Sequence, residues 1–133
     1  MHRLVFWLTY PFLWFISILP FRLFYLVSDI IFVLVYHIIG YRRKTVKENL
    51  DLVFPEKSTE EKKSIQKNFY RHMCDIFLEM IKTLSISEEE LKKRFVFTNP
   101  EEFERLKKLD KSIVAMCGHY ASYEWMIALQ LHG

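Results

Sequence analysis

The sequence predicts an α/β protein in which an apolar membrane helix or helical hairpin and a helical region precede the beginning of a parallel sheet. Residues 4–39 carry only Arg22 and Asp29 as formal charges. Residues 41–94 combine helical spacing of apolar positions with capping residues. Residues 112–117 form a continuous apolar run between turn signals, as a buried strand does. These observations divide the chain into membrane-anchoring apolar helices at 1–40, a helical region with a basic stretch at 41–94, and the start of an α/β domain at 95–133.

The length and composition of the chain limit its class. Its 133 residues suffice for one modest domain, and a net charge of +3 without a recognisable motif does not favour a nucleic-acid-binding protein. Cys74 and Cys117 stand far apart and form neither a disulfide framework nor a CxxC zinc motif. Two such thiols fit a reducing compartment that faces the cytosol. His37, His72 and His132 make no metal-binding pattern.

The first apolar stretch, residues 4–19, carries no formal charge and is slightly short for a full membrane span. No small-x-small cleavage site follows it. The pattern therefore favours a retained membrane anchor over a secretory signal peptide.

The second apolar stretch, residues 21–39, is long enough to span a membrane. It forms either a second spanning or re-entrant helix, or a helix that lies at the membrane interface and packs against the soluble part. The connection at Pro20 is very short for two full crossings, and Asp29 is costly against lipid. Arg22, Ser28 and Asp29 give the helix a polar side, which favours the interfacial interpretation.

A basic stretch follows the second apolar segment and consists of Arg42, Arg43, Lys44 and Lys47. Cations beside an apolar segment mark its cytoplasmic side. Near a membrane surface, each such cation contributes about 1 kcal/mol to the free energy of binding to anionic lipid headgroups. We therefore expect these four residues to face lipid headgroups, although a solvated helix face at the end of a membrane segment predicts the same orientation.

The middle of the chain predicts four helices. Capping patterns mark the starts of the last three, because Ser58 precedes Glu61, Ser87 precedes Glu90, and Asn99 precedes a proline at the first helical position. The first helix covers 41–53, the second runs from Ser58 to about residue 84, the third runs from Ser87 through Arg94, and the fourth starts at Asn99. The stripe predicted to form the core of the second helix is Ile65, Phe69, Met73, Ile76, Met80 and Leu84.

The last part predicts a strand at 95–97, the helix after Asn99, a buried strand at 112–117, and a final helix capped by Ser122. This order begins a right-handed parallel α/β sheet. A strand that is apolar on both faces needs neighbours on both edges. The sequence therefore predicts the N-terminal piece of a longer protein, with a small α+β domain completed by oligomerisation as the alternative.

His119 and Glu124 are the candidate catalytic pair. His119 follows the predicted strand in the loop 118–121, where open α/β sheets place their ligands, and Glu124 lies in the first turn of the final helix. If the backbone turns between them, the carboxylate can orient one imidazole nitrogen and raise the basicity of the other. A histidine hydrogen-bonded in a loop is the non-catalytic alternative. Cys117 is expected to be a small buried thiol rather than a nucleophile.

Three features together resemble the lipid A biosynthesis acyltransferases of the lysophospholipid acyltransferase superfamily. They are the apolar N-terminal anchor, the run 41–50 that continues to Phe54-Pro55-Glu56, and the run 118–125. The last run is similar to the family's His-x-x-x-x-Asp/Glu motif. The commoner Gly-Asn-Trp within that motif is replaced here by Ala121-Ser122-Tyr123.

The resemblance implies that His119, oriented by Glu124, takes the proton of an acceptor hydroxyl, which then attacks an acyl carrier protein thioester. The acceptor implied is a lipid A precursor at the cytoplasmic face of the inner membrane, and no metal, cofactor or covalent intermediate is required. The family's downstream motifs do not occur in this chain, so we expect the piece alone to be inactive. A glycerolipid acyltransferase and a non-catalytic membrane-anchored interaction module are the alternatives.

Overall fold

A computed structural model describes residues 2–109, 111–114, 116–118 and 120–131. The structure is helical over these residues and contains no strand among them. Its α-helices are α1 (His2–Ile18), α2 (Phe21–Phe32), α3 (Arg43–Val53), α4 (Thr59–Lys82), α5 (Glu88–Arg94) and α6 (Pro100–Lys107). The π-helix Val33–Ile39 continues α2, and the 3₁₀-helix Tyr123–Leu131 follows an irregular segment.

The predicted α/β fold is therefore wrong for the described part of the chain. Residues 95–97 and the described residues of 112–117 are irregular, and the apolar side chains of Val114 and Met116 are 85% and 94% exposed. The physical reason is that a doubly buried strand requires partner strands on both edges, and the described residues provide none. Cys117, expected to be buried, is exposed.

Helix α1 is apolar on all sides and makes protein contacts mainly at its C-terminal end. Pro11 lies inside it, and the helix continues through that position. Trp7 and Phe12 are 72% and 64% exposed, whereas Ile16 and Ser17 are buried. Most of α1 therefore presents an apolar surface that no described residue covers.

Helix α2 and its π-helical continuation together form the one described helix, Phe21–Ile39, that is long and apolar enough to cross a membrane. Only 22% of its most apolar 18-residue window is buried, so this helix differs from the core helix of a soluble protein. Gly40 ends it at φ 66°, a left-handed conformation that glycine adopts without a steric cost.

Helix α4 is the element on which α1, α2 and α3 pack. Its start is predicted correctly, because the Ser58 hydroxyl accepts from the Glu61 amide and the Glu61 carboxylate accepts from the Ser58 amide. Its buried face lies about one residue beyond the predicted stripe, and Phe69, Met80 and Leu84 of that stripe are exposed. The buried residues of α4 are Gln66, Tyr70, Cys74, Leu78 and Lys82.

The shift of the buried face has a physical cause in two polar residues. Gln66 is buried because its Nε2 donates to the Arg43 carbonyl at 2.9 Å. Lys82 is buried because its Nζ donates to the carbonyls of Ser17 and Leu19 at 2.5 and 2.7 Å. Burial of polar groups becomes favourable once they are hydrogen-bonded, and a purely apolar pattern does not include such residues.

Polar side chains join α2 to α4. The polar side predicted for α2 faces α4 in part, and this contact satisfies groups that are costly to leave unpaired. The contacts are Ser28 Oγ donating to Asp75 at 2.6 Å, Tyr25 Oη donating to Glu79 at 2.7 Å, and an ion pair of Asp29 with Arg71 at 3.5 Å.

Helix α5 connects the helical body to the 3₁₀-helix. Ser87 caps α5 by accepting from the Glu90 amide at 3.2 Å, as predicted. Leu91 of α5 packs with Trp125 and Ala128 in a buried cluster. Pro100 starts α6 at the predicted position, although the Asn99 side chain makes no capping hydrogen bond.

Candidate functional site

The 3₁₀-helix that carries Glu124 is held against α4 and α5. Trp125 is 5% exposed and packs on Leu91, and its Nε1 donates to the Glu79 carbonyl at 3.2 Å. The helix predicted after Ser122 is thus present, but it has 3₁₀ geometry, and Ser122 bonds to α4 rather than capping it.

The backbone turns tightly between Gly118 and Tyr123. The Tyr120 amide donates to the Gly118 carbonyl at 2.8 Å, and the Tyr123 amide donates to the Ala121 carbonyl at 2.9 Å. Ala121 has φ 54°, a conformation that is uncommon for residues other than glycine. Glycine adopts this conformation without the steric cost that a Cβ atom brings. His119, the predicted general base, lies outside the described residues.

Glu124 carries a buried carboxylate oxygen. Its Oε2 is inaccessible to water and has no hydrogen-bond partner among the described residues. A buried acceptor without a donor costs about 1–3 kcal/mol. The position therefore suits a donor N–H or O–H group that approaches this oxygen.

Glu79 is a polar residue of this region that the sequence patterns do not indicate. Its carboxylate accepts hydrogen bonds from the hydroxyls of Tyr25 and Ser122, while its carbonyl accepts from Trp125. One side chain of α4 therefore joins α2 to the segment that carries Glu124. Burial, with a further contribution from the nearby Asp75 carboxylate, raises the pKa of Glu79 above its ordinary value.

The raised pKa of Glu79 predicts a pH-dependent stability. The folded state holds the Glu79 proton more tightly than the unfolded state, so the free energy of unfolding should fall as pH rises through the range just above 4.5. Glu79→Gln removes the titrating group and should reduce this slope. Denaturant unfolding in detergent micelles at several pH values, followed by tryptophan fluorescence, measures it. Glu56→Gln, in an exposed loop, is the control, and an equal slope in Glu79→Gln and wild type would contradict the prediction.

The surface around the turn is open to solvent. Tyr120 is 91% exposed, and a side chain added at Gly118 would meet no atom within 4 Å. Among the described residues, no three His, Cys, Asp or Glu side chains lie close enough together to hold a metal ion.

The four predicted headgroup-facing cations take two different positions. Arg43 and Lys47 line a cavity between α3, α4 and the π-helix, and the Arg43 guanidinium lies 4.8 Å from the centre of the Tyr36 ring. Arg42 and Lys44 lie outside that cavity. Arg42 precedes α3 at φ 50°, and Lys44 forms an exposed ion pair with Glu48 at 3.8 Å.

The sequence model of the bacterial lipid A biosynthesis acyltransferases matches residues 1–132. The chain belongs to this family. Comparisons with curated proteins and with solved structures found no match. The resemblance inferred from the three sequence features is confirmed at the level of the family. The protein is thus a lipid A acyltransferase, whose acceptor is a lipid, and Glu124 lies in the segment that resembles the family's active-site motif.

Proposed function

We propose that this lipid A acyltransferase moves a fatty acyl chain from an acyl carrier protein thioester to a hydroxyl group of a lipid A precursor. His119 acts as the general base, and Glu124 orients it. The observation that carries this assignment is the buried Oε2 of Glu124, which has no hydrogen-bond partner among the described residues. An imidazole N–H donates one hydrogen bond that satisfies such an oxygen.

The proposed reaction is a direct transfer with general acid–base assistance. The second nitrogen of His119 takes the proton from the acceptor hydroxyl as its oxygen attacks the thioester carbonyl carbon. The tetrahedral intermediate collapses with cleavage of the carbon–sulfur bond, and the imidazolium returns the proton to the departing thiolate. The Glu124 carboxylate stabilises the imidazolium that forms in between.

The turn 118–123 and the contacts of Glu79 position the segment that carries Glu124. The Tyr123 amide donates to the Ala121 carbonyl, and this turn leads directly into the 3₁₀-helix that carries Glu124. Glu79, through Ser122 and Trp125, holds the start of that helix on α4. General-base catalysis requires hydrogen-bond distance to the acceptor hydroxyl, so this positioning affects the rate.

We further propose that the protein lies at the inner membrane with its catalytic segment facing the cytoplasm. Support comes from the exposed apolar surfaces of α1 and of the helix Phe21–Ile39. Both helices fit the cytoplasmic interface of the membrane, because the bonds of Tyr25 and Ser28 to α4 keep the polar side of α2 with the rest of the chain. Arg42, Arg43, Lys44 and Lys47 follow the helix Phe21–Ile39 directly, which is the arrangement of cytoplasmic ends.

Loss of the gene tests the proposed acceptor. A mass spectrum of lipid A from cells that lack the gene should show the loss of one acyl chain, and the mass difference gives the length of that chain. Re-expression should restore the chain. An unchanged lipid A together with altered glycerophospholipid acyl chains would replace the proposal by the glycerolipid alternative, and unchanged lipids of both kinds would contradict an enzymatic role.

A further inference from the structure

The cavity between α3, α4 and the π-helix is strongly cationic. It encloses about 540 Å³, a size typical of small-ligand sites. Among the described residues, the charged side chains in its wall are five cations and one carboxylate, namely Arg43, Lys47, Lys62, Lys63, Lys67 and Asp51.

The single carboxylate neutralises only part of this charge. Asp51 accepts from Lys47 at 2.8 Å and from Lys62 at 3.1 Å, and these two contacts lower its pKa. Arg43, Lys63 and Lys67 have no carboxylate within ion-pairing distance among the described residues. The cavity therefore retains uncompensated positive charge that an anion would neutralise.

The wall of the cavity is fixed by contacts that do not involve its lysines. The Gln66 amide donates to the Arg43 carbonyl at 2.9 Å, and the buried Tyr70 hydroxyl donates to the Tyr41 carbonyl. Tyr36 is 8% exposed, and the Arg43 guanidinium packs over the Tyr36 ring. The site is thus built before any ligand arrives, which reduces the entropic cost of binding.

The position of the cavity indicates which anion it holds. Tyr36 and His37, in its wall, belong to the last turn of the spanning-length helix Phe21–Ile39, where a membrane would place its headgroups. On the same helix, Leu34 and Ile38 are exposed apolar side chains that can lie against the acyl chains of a membrane. The π-helical geometry at this end is itself frequent at functional sites.

We propose that this cavity binds the phosphate-bearing headgroup of a membrane lipid. A cavity of this size encloses a phosphate group and its substituent, whereas an acidic helix of a protein partner requires an open surface. Gln66, in the cavity wall, and Glu79, beside the Glu124 segment, lie about 20 Å apart along α4 at its regular rise per residue. The headgroup site is therefore separate from the segment that carries Glu124.

Lipid retention by the full-length protein tests this site. The protein is purified in a neutral detergent, and lipids that stay bound are counted by native mass spectrometry as phosphatidylglycerol or phosphatidylcholine is added. Wild type should retain phosphatidylglycerol in preference to phosphatidylcholine. The double variant Lys63→Gln/Lys67→Gln should retain phosphatidylglycerol about 30-fold more weakly. Both positions are exposed on α4, where glutamine is a good helix former, and circular dichroism checks the fold.

Two further variants separate a site from general charge. Lys92→Gln/Lys108→Gln removes the same charge from exposed positions on α5 and at the end of α6, and it should retain lipid as wild type does. Asp51→Asn removes the one carboxylate that the described residues contribute to the wall, and it should strengthen retention. Unchanged retention in Lys63→Gln/Lys67→Gln, or an equal loss in the control pair, would overturn the proposal.

Three probes distinguish which phosphate-bearing molecule the cavity binds. Retention of phosphatidylglycerol identifies a bulk phospholipid, whereas retention of only a phosphorylated lipid A precursor identifies the acceptor as the bound lipid. Displacement of either lipid by millimolar inorganic phosphate supports recognition of the phosphate group itself. If the cavity variant loses binding of an acyl carrier protein and keeps its lipids, the cavity is a protein-docking site and the proposal fails.

Discussion

Replacing His119 by alanine should lower acyl transfer to lipid A by about 10²–10⁴-fold, the range for loss of a general base. Alanine cannot accept the proton of the acceptor hydroxyl, so the attacking oxygen must react in its protonated form. The measurement is the lipid A mass spectrum of cells that express the variant in place of the wild-type gene, with membrane insertion checked in parallel. His72→Ala, an exposed histidine of α4, is the control.

Glu124→Gln should lower the same activity by about 10²-fold. Glutamine keeps the size of the side chain but loses the negative charge that orients and stabilises the imidazolium. Glu89→Gln, an exposed position on α5, should act as wild type. Wild-type acylation by a well-expressed His119→Ala protein would refute the assigned base, and wild-type acylation by Glu124→Gln would refute the orienting role alone.

The second large effect is expected at Lys82, which links α4 to the end of α1. Its buried Nζ donates to the carbonyls of Ser17 and Leu19 and lies over the rings of Phe21 and Phe24 at 4.8 and 5.5 Å. Burial lowers the pKa of Lys82. Lys82→Met keeps the apolar stem but leaves the Leu19 carbonyl without this donor, and it should reduce the free energy of unfolding by about 2 kcal/mol.

The effect of Lys82→Met is measured by denaturant unfolding in detergent micelles. Lys92→Met, at an exposed position on α5, is the matched control and should change stability little. Faster proteolysis near Pro20 should accompany the loss at Lys82, because the connection between α1 and α2 is no longer held. Equal stability of the two variants would show that these hydrogen bonds make no net contribution to the free energy of unfolding.

Local signals made part of the fold predictable. Ser58 with Glu61, and Ser87 with Glu90, mark helix starts correctly because the atoms that satisfy each first turn lie within three residues in the chain. The segments whose predicted structure is wrong depend on partners that are distant in the chain. The apolar run 112–117 resembles a buried strand in composition, but its described residues have no neighbouring strand within the described part of the chain and are irregular and exposed.

The candidate site also combines features that adjacent residues predict with features that depend on residues distant in the chain. The motif around Glu124 and the family are recognisable from adjacent residues alone. Glu79 is not, because its partners Tyr25 and Ser122 lie 54 and 43 residues away in the chain. Lys63 and Lys67 likewise follow no motif and join Arg43 only because α3 packs on α4.

The sequence by itself determined the family, the helix starts, the apolar N-terminal segments and the basic stretch, because each of these depends on residue types at short spacing. Only the tertiary structure decided which face of α4 is buried, how Lys82 and Gln66 are satisfied, and which cations share one cavity. Those features depend on contacts between helices that are remote in the chain, and the energy of such contacts comes from burial and hydrogen bonding that no local pattern contains.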